Sequence, residues 1–419
     1  MKKILTYDVV VVGGGPSGVA AALGAKEAGA KNLLIERNPY LGGEATHSGV
    51  GAFCGFYSCD DKRMKVVAGA GDQVIKALQN TGGKVDFIIS ALGNKNINFQ
   101  PEYLKCALDD LIEEKEIDCF LHTRVVAANT KNGQIQSILC ADDEGNFEVK
   151  AKTFVDASGD ANLAHLAGAK TTWGDEEGNV QAATLPFRLT GVDITKPMTP
   201  AAVEKAIKQA KEDGISHLTK EKGFILKVEG SDTVTVLLPS AILANLSAKE
   251  MSAAERNLRR QVLSYVKALK KYMPGMEQAE LAMIGPSIGF RETRKMVGKE
   301  TILAEDVLKR KKREDGIGRG GWKPEIHKSL HEMAVYIEVE DGSYFDIPLG
   351  ALQSINIDNL YGAGRIVSSD EIAFAAIRVM GTCFATGHGA GVAAAYQAKH
   401  DRVSVEDIRR ELERQHALI

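Results

Sequence analysis

Residues 7–43 read YDVVVVGGGPSGVAAALGAKEAGAKNLLIERNPYLGG and contain the groups that a dinucleotide site needs. Gly13, Gly15 and Gly18 form a G-x-G-x-x-G. The first permits a tight turn, the second lets the backbone approach a pyrophosphate, and the third lets a helix pack close to a strand. Amides at the start of that helix would hold the phosphates. The Glu36 carboxylate would accept hydrogen bonds from ribose hydroxyls. The elements that must position these groups are legible too. The apolar run at 9–12 is a buried-strand signal, the alanine-rich stretch 19–28 has helical composition, and a second apolar run at 33–35 ends on Glu36. Strand, turn, helix, strand and acid follow in the order of a dinucleotide-binding βαβ unit. A glycine-rich loop in an unrelated α/β protein is the alternative.

Further motifs lie behind this unit. Glu36-Arg37 is followed by Gly42-Gly43 and then Glu44-Ala45-Thr46; residues 155–169 read VDASGDANLAHLAGA; residues 359–395 read NLYGAGRIVSSDEIAFAAIRVMGTCFATGHGAGVAAA. In this order they resemble the motifs of the glutathione-reductase-like superfamily of FAD proteins. The resemblance implies FAD as the cofactor, with the segment after Glu36 crossing beneath the isoalloxazine and the chain passing the adenine near Val125 and Val126. It implies cofactor contacts at Gly13, Gly15, Pro16, Ser17, Gly18, Glu36, Arg37, Gly43, Glu44, Ala45, Thr46, Val125, Val126, Ala157, Gly159, Asp160, Gly364, Arg365, Gly387, His388 and Gly389. The last helix is expected to begin near Thr386-Gly387-His388-Gly389, its dipole facing the flavin N1–O2 edge. His388 adds to this or merely fills space. Some fumarate-reductase relatives attach FAD through a histidine in the region of His47, but its register against Gly42-Gly43 is shifted, and non-covalent binding is expected.

The expected fold class is α/β: a discontinuous Rossmann-like FAD-binding domain with an inserted α+β substrate domain. At 419 residues the chain is long for one core. The boundaries read as 1–169 for the first part of the cofactor domain, 170–344 for the substrate domain and 345–419 for the return. The helical pattern at 74–79 ends in the turn Thr81-Gly82-Gly83, and a second helical pattern covers 101–115. Strands follow at 119–121, 125–128 and 135–141, with Asn132-Gly133 as a hairpin turn. Within 170–344, TLPFRLTGVDI and FILKVEGSDTVTVLLP read as strands, the second a hairpin about Glu229-Gly230-Ser231. Residues 201–213 and 252–273 read as amphipathic helices, the latter stopped by Pro274-Gly275.

A net charge of −3 argues against a nucleic-acid or membrane surface built on bulk electrostatics. Lys2 and Lys3 before an apolar run mimic a signal peptide, but Asp8 breaks the run, which reads as the first strand. No apolar run approaches the roughly 18 residues of a membrane span. Six dispersed cysteines fit a reducing cytoplasm rather than a disulfide framework. The basic run Lys309-Arg310-Lys311-Lys312-Arg313 reads as a solvated helix end before a glycine loop at 316–321, a nucleic-acid contact being the alternative.

No second strand-linked G-x-G-x-x-G appears; the glycines at 316–321 follow a charged stretch instead. The flavin must then be reduced by the substrate or by a separate donor. This favours a dehydrogenase, oxidase or reductase over a pyridine-nucleotide disulfide reductase. Cys54 and Cys59 make a C-x4-C, about ten residues later than in such reductases, so structural thiols are favoured over a redox pair. No metal site is read.

Arg291-Glu292-Thr293-Arg294, Pro324 with His327, Ala363-Gly364-Arg365 and the stretch from Arg378 to Cys383 resemble a bacterial family of FAD-dependent oxidoreductases, most of whose members lack an assigned substrate. The chain departs from that family in carrying Glu371 where a histidine is frequent. A hydride moving to or from flavin N5 needs a proton acceptor or donor nearby. His327 is the candidate, because imidazole titrates near neutral pH; a core or surface histidine is the alternative. Arg291 and Arg378 suit a carboxylate held by bidentate bonds; the alternative is an internal ion pair, for instance with Glu292.

The resulting reading is an FAD-dependent oxidoreductase exchanging a hydride between flavin N5 and a small polar, carboxylate-bearing molecule. A separate electron donor or acceptor is a possible partner. The alternatives are a fumarate-reductase-like ene-reductase, an RNA-binding flavoprotein resembling the tRNA-modifying glucose-inhibited-division proteins, and a flavin-binding protein with a decayed redox site. Non-covalent binding predicts that acid or heat releases all the flavin from the purified protein; yellow colour left in the precipitate would make His47 the attachment point.

Overall fold

The computed structural model describes residues 4–90, 93–228, 230–340, 343–400 and 403–419. Lys2, Lys3 and Glu229 lie outside them, so of the hairpin about Glu229-Gly230-Ser231 only the flanking strands are described.

Strand β1 (Ile4–Val12) runs between β2 (Asn32–Ile35) and the long strand Gly145–Asp156, parallel to both. Asp118–Phe120 adds beyond β2, and Leu360–Gly362 pairs with the C-terminal half of Gly145–Asp156, again parallel. The N-terminal half of that long strand carries the antiparallel meander Arg124–Lys131 and Gln134–Asp142. Both faces of β1 are covered. Val9 and Val11 join the core under the helices, while Val10 and Val12 join the opposite core with Ile138, Val149 and Leu163. Burial on both sides explains an unbroken valine run in place of an alternating one. The mixed α/β architecture with a parallel Rossmann-like core is as expected.

Helix α1 (Pro16–Glu27) and the helix Met380–Lys399 cross on the helical face of this sheet. Their contact is backbone to backbone at two points, with the side chains of His388 and Val392 packed on Gly24 between them. A Cβ on Gly387 would lie 2.1 Å from the carbonyl oxygen of Ser17, and one on Gly391 would lie 2.1 Å from that of Ala21. The two pairs share i, i+4 spacing, which puts each on one helix face. The expected start of this helix near Thr386 is therefore wrong: it begins at Met380, and Gly387, His388 and Gly389 lie inside it. Gly389 faces Ile317, and His388 is buried with Nε2 2.6 Å from Gln415 Oε1. Glycine here marks close packing, a signal easily confused with a phosphate-binding turn.

A second core forms around the antiparallel sheet Ile225–Lys227, Val234–Val236, Phe187–Thr190 and Glu280–Ile284. Two helices cover it. Pro200–Glu212 starts with the Ala202 amide donating to Thr199 Oγ1, and Ala248–Tyr272 is capped by Ser247, four residues ahead of the start read from periodicity. Ile302, Val307 and Ile317 pack into the first core.

Two local readings are corrected. The glycines at 316–321 include a buried strand, Gly316–Gly320, paired with Phe345–Pro348. A Cβ on Gly320 would strike the Phe345 ring, so glycine is needed for contact with an aromatic face. The basic run before it is only partly solvated. Arg310 is buried and donates to the Trp322 carbonyl at 3.1 Å, while Lys309, Lys311 and Arg313 pair with Glu305, Asp306 and both Glu300 and Asp315. Among the described residues no helix is long and apolar enough to cross a membrane.

Alanine for glycine in a helix interior normally adds up to about 1 kcal/mol of stability. At Gly387 the sign should reverse, with a loss of about 3 kcal/mol, because the obstacle is backbone that cannot rotate away. The urea midpoint of Gly387→Ala should fall with an unchanged slope; a midpoint at or above that of the parent would refute the close crossing.

Candidate functional site

A cleft of about 770 Å³, open to solvent, lies along the C-terminal edge of the parallel sheet. This is where open α/β sheets place ligands. The glycine turn builds one wall. Gly13 has φ +104°, and a Cβ there would sit 2.5 Å from the Ala157 carbonyl oxygen; one on Gly18 would sit 1.7 Å from that of Gly13. Gly15 differs. Its backbone is extended, its nearest neighbour to a Cβ is Gly43 Cα at 3.7 Å, and it precedes a helix whose first turn has no side-chain cap. The amides of α1 thus face open space at a position where a larger residue would fit the protein but fill the cleft.

Glu36 is buried, with its carboxylate accepting the Gly14 amide at 2.7 Å and the Asn38 amide at 2.9 Å. Arg37, Gly43 and Glu44 continue the wall, with His47 beyond them, its Nδ1 3.2 Å from the Tyr40 hydroxyl. Ala157, Gly159 and Asp160 come from the end of the strand Gly145–Asp156. Arg365 donates to Asp160 at 3.3 Å and to the Phe290 carbonyl at 2.9 Å, and lies 3.5 Å from Glu44. Burial pushes the Glu44 carboxyl up, against the charge of Arg365.

Of the residues expected to contact cofactor, Gly13, Gly15, Pro16, Ser17, Glu36, Arg37, Gly43, Glu44, Ala157, Gly159, Asp160 and Arg365 line this cleft. The others support it or lie elsewhere. Gly18 and Gly364 hold the turn against its neighbours, a Cβ on Gly364 meeting Ser17 Oγ at 2.6 Å. Ala45 and Thr46 are buried, and Thr46 Oγ1 donates to the Leu41 carbonyl at 2.6 Å. Val125 and Val126 sit on the outer meander. Gly387 and His388 belong to the helix crossing, and Gly389 packs on Ile317. Ser158, Ser287, Ile288, Phe290, Met380 and Cys383 line the cleft and were not foreseen.

Arg378 also reaches the cleft and leads to a buried polar cluster. It caps the helix Glu371–Ile377, and its Nη2 donates to the Glu325 carbonyl at 2.8 Å. The Glu325 carboxylate takes His327 Nε2 at 3.0 Å on one oxygen and Trp322 Nε1 at 3.1 Å on the other. Tyr336 hydrogen-bonds to the same carboxyl, and its own hydroxyl is pushed up, by burial first and then by that charge. Burial would raise Glu325 too, but the His327 bond and the charges of Arg378 and Arg291 outweigh it and hold the group well below the usual carboxylate range. His327 is pushed down to about 3, by burial and then by Arg291. The expected near-neutral titration is therefore overturned: the ring is neutral at neutral pH.

Arg291 donates to the Ala182 carbonyl, and burial and then Arg378 lower its guanidinium to about 10. Its expected alternative partner is engaged elsewhere, because Glu292 pairs with Lys295 at 2.8 Å, both side chains buried. Lys220 is buried nearby, its ammonium lowered to about 8 by burial and then by Arg291. Glu325 and Lys220 escaped the sequence reading. The Glu-x-His spacing was the available signal, since residues two apart on an extended segment share a face. Glu371 pairs with Lys328 at 2.6 Å.

All six cysteines are free, and burial raises Cys54 to about 12 and Cys59 to about 11, which disfavours a reactive thiolate. Among the described residues no His/Cys/Asp/Glu group could hold a metal ion.

The model of the FAD dependent oxidoreductase family matches residues 8–416, and the chain belongs to that family. It is 25% identical over 204 residues to the digeranylgeranylglycerophospholipid reductase of Methanosphaerula palustris, covering 46% of this chain and 48% of the relative. It is 56% identical over 43 residues to the thiamine thiazole synthase of Aeropyrum pernix, covering 10% and 16%. The chain thus spans about half the length of the first relative and a smaller share of the second. A geranylgeranyl bacteriochlorophyll reductase-like structure from Thermoplasma acidophilum aligns with TM-score 0.48 and 15% identity over 99% of this chain and 83% of that one.

FAD is the cofactor, and the cleft suits it: α1 amides for the pyrophosphate, Glu36 for a ribose, and open space at Gly15. Gly15→Val should fold as the parent does, judged by circular dichroism, yet purify colourless. A yellow Gly15→Val protein with full flavin content would remove the cofactor from this wall.

Proposed function

We propose that this FAD-dependent oxidoreductase exchanges a hydride with a small polar, carboxylate-bearing substrate, gripped by Arg378 and Arg291 beside the cofactor cleft. Bound FAD supplies the two-electron partner at N5. The chain's own residues bind and orient the substrate and handle its proton. One observation carries the reading: Arg378, on the cleft wall, keeps its Nε buried and without a hydrogen-bond partner. A buried unpaired donor costs roughly 1–3 kcal/mol, a cost that an incoming acceptor removes. Charge points the same way. Arg291 and Arg378 both lie in the field of the Glu325 carboxylate, Arg291 also in that of Glu44, whose carboxyl burial pushes up, and Lys220 adds to the positive side. An anion completes the balance.

The reading extends to the placement in the glutathione-reductase-like superfamily, supported by the turn at Gly13–Gly18 and by Asp160 in the turn after the strand Gly145–Asp156. It also takes 170–344 as the substrate domain, supported by the separate apolar core of residues 183–290, although Ile302, Val307 and Ile317 pack into the first core, and places the protein in the cytoplasm, consistent with free cysteines. A nucleic-acid face is disfavoured, because Lys309, Lys311 and Arg313 are paired within the fold.

Arg378→Lys keeps the charge but loses the planar fork. Turnover efficiency on the substrate should fall roughly thirty- to several-thousand-fold, the equivalent of about 2–5 kcal/mol for an unpaired buried charge. Flavin content should hardly change. Loss of FAD or of the fold would make the residue a cofactor or core ligand, and unchanged kinetics with FAD retained would remove it from the substrate.

A further inference from the structure

Resting on that reading of the site, we infer that the substrate is a hydroxy acid, oxidised to the corresponding oxo acid, with His327 Nδ1 as proton acceptor and Glu325 as its positioning residue. The argument starts from the tautomer. His327 Nε2 lies 3.0 Å from Glu325 Oε1. An ionised carboxylate can only accept, so Nε2 carries the ring proton and Nδ1 presents a lone pair. That Nδ1 is buried and has no partner.

Two more buried, unpartnered atoms belong to the same network: Arg378 Nε and Gln181 Nε2. Gln181 is tied to the histidine directly, its Oε1 accepting the His327 amide at 3.1 Å, and the Ala182 amide donates back to the His327 carbonyl at 2.9 Å. The unmet needs are thus two donors and one acceptor. Oxygen acceptors answer the donors, which a carboxylate supplies. A hydrogen on a polar atom answers Nδ1, which a hydroxyl supplies. An enoate has the oxygens but no such hydrogen, and an ammonium group would face Arg291, Arg378 and Lys220.

The reaction balances in one two-electron step. The hydroxyl proton would pass to Nδ1 and the carbinol hydrogen would leave with its electron pair as the C–O bond becomes C=O, with oxidised FAD supplying the two-electron acceptor. The imidazolium so formed is held by Glu325. In the free protein that charge is opposed by burial and by Arg291. A substrate carboxylate set against the arginines offsets the opposition, so the base becomes competent once the anion is in place.

Paired acids test this on the FAD-loaded protein: lactate and propionate, malate and succinate, 3-hydroxybutyrate and butyrate. Dissociation constants come from calorimetry or from perturbation of the flavin band. In the best-bound pair the hydroxylated member should bind on the order of tenfold more tightly, the worth of one hydrogen bond to an otherwise unmet buried group. His327→Phe should bring the pair within about twofold of each other, whereas Arg378→Lys should weaken both members and keep their ratio. Equal binding within every pair, with Arg378→Lys still weakening both members, overturns the inference while the carboxylate reading stands. Failure of every acid to bind overturns the carboxylate reading, and the inference with it. The parent protein gives an independent check should His327→Phe not fold: the nitrogen resonances of His327 must show its proton on Nε2, and a proton on Nδ1 overturns the proposal.

Discussion

The cofactor cleft depends on how closely two helices can approach. Helix α1 and the helix Met380–Lys399 touch backbone to backbone through Gly387 and Gly391, with Ser17 and Ala21 opposite. This contact brings the N-terminus of α1 and that of the later helix to the same edge of the sheet, where Pro16 and Met380 both line the cleft. A side chain at either glycine would wedge the helices apart and move one wall against the other. The glycines of the first turn act at shorter range. Gly13 and Gly18 close the turn, and Gly15 is left with space beside it.

Away from the glycine wall, the chemistry is organised by burial. The Glu325 carboxylate lies in the field of both Arg291 and Arg378, and it also holds His327 and Trp322. In a dry setting such a group remains ionised because cations and donors surround it. The price is paid by the histidine, whose positive form meets two arginines. The cluster is therefore biased toward positive charge around one neutral histidine. Arg365 plays a different part, tying Asp160, Glu44 and the Phe290 carbonyl together, so that the walls on the two sides of the cleft hold one position.

These two halves are joined through short links. Arg378 belongs to both, lining the cleft and bonding to the backbone of Glu325. The first core and the second, around Phe187 and Tyr265, are packed separately. The residues proposed for the chemistry gather where segments from the two meet: Gln181 and Arg291 on one side, Arg378 on the other. Such seams are common ligand sites, because each core can be rigid while the crevice between them remains open.

Much of the cofactor wall could be read in the chain itself. The valine run, the glycine turn and Glu36 are local, and local spacing determines a βαβ unit whatever lies beyond it. The same holds for the helix 101–115 and the hairpin at Asn132-Gly133. Tertiary structure decided the rest. Whether Gly387 and Gly389 open a helix toward the flavin or lie inside one against α1 and Ile317 depends on what packs against them, and composition is alike in both cases. Whether His327 titrates near neutral pH depends on burial and on Arg291, a residue far off in sequence. Arg310 reads as a surface charge among four neighbours of its own sign, yet the fold buries it under Trp322. Residue type and spacing determined which groups were available for chemistry; distances across the fold decided their partners, and with them their charge and their role.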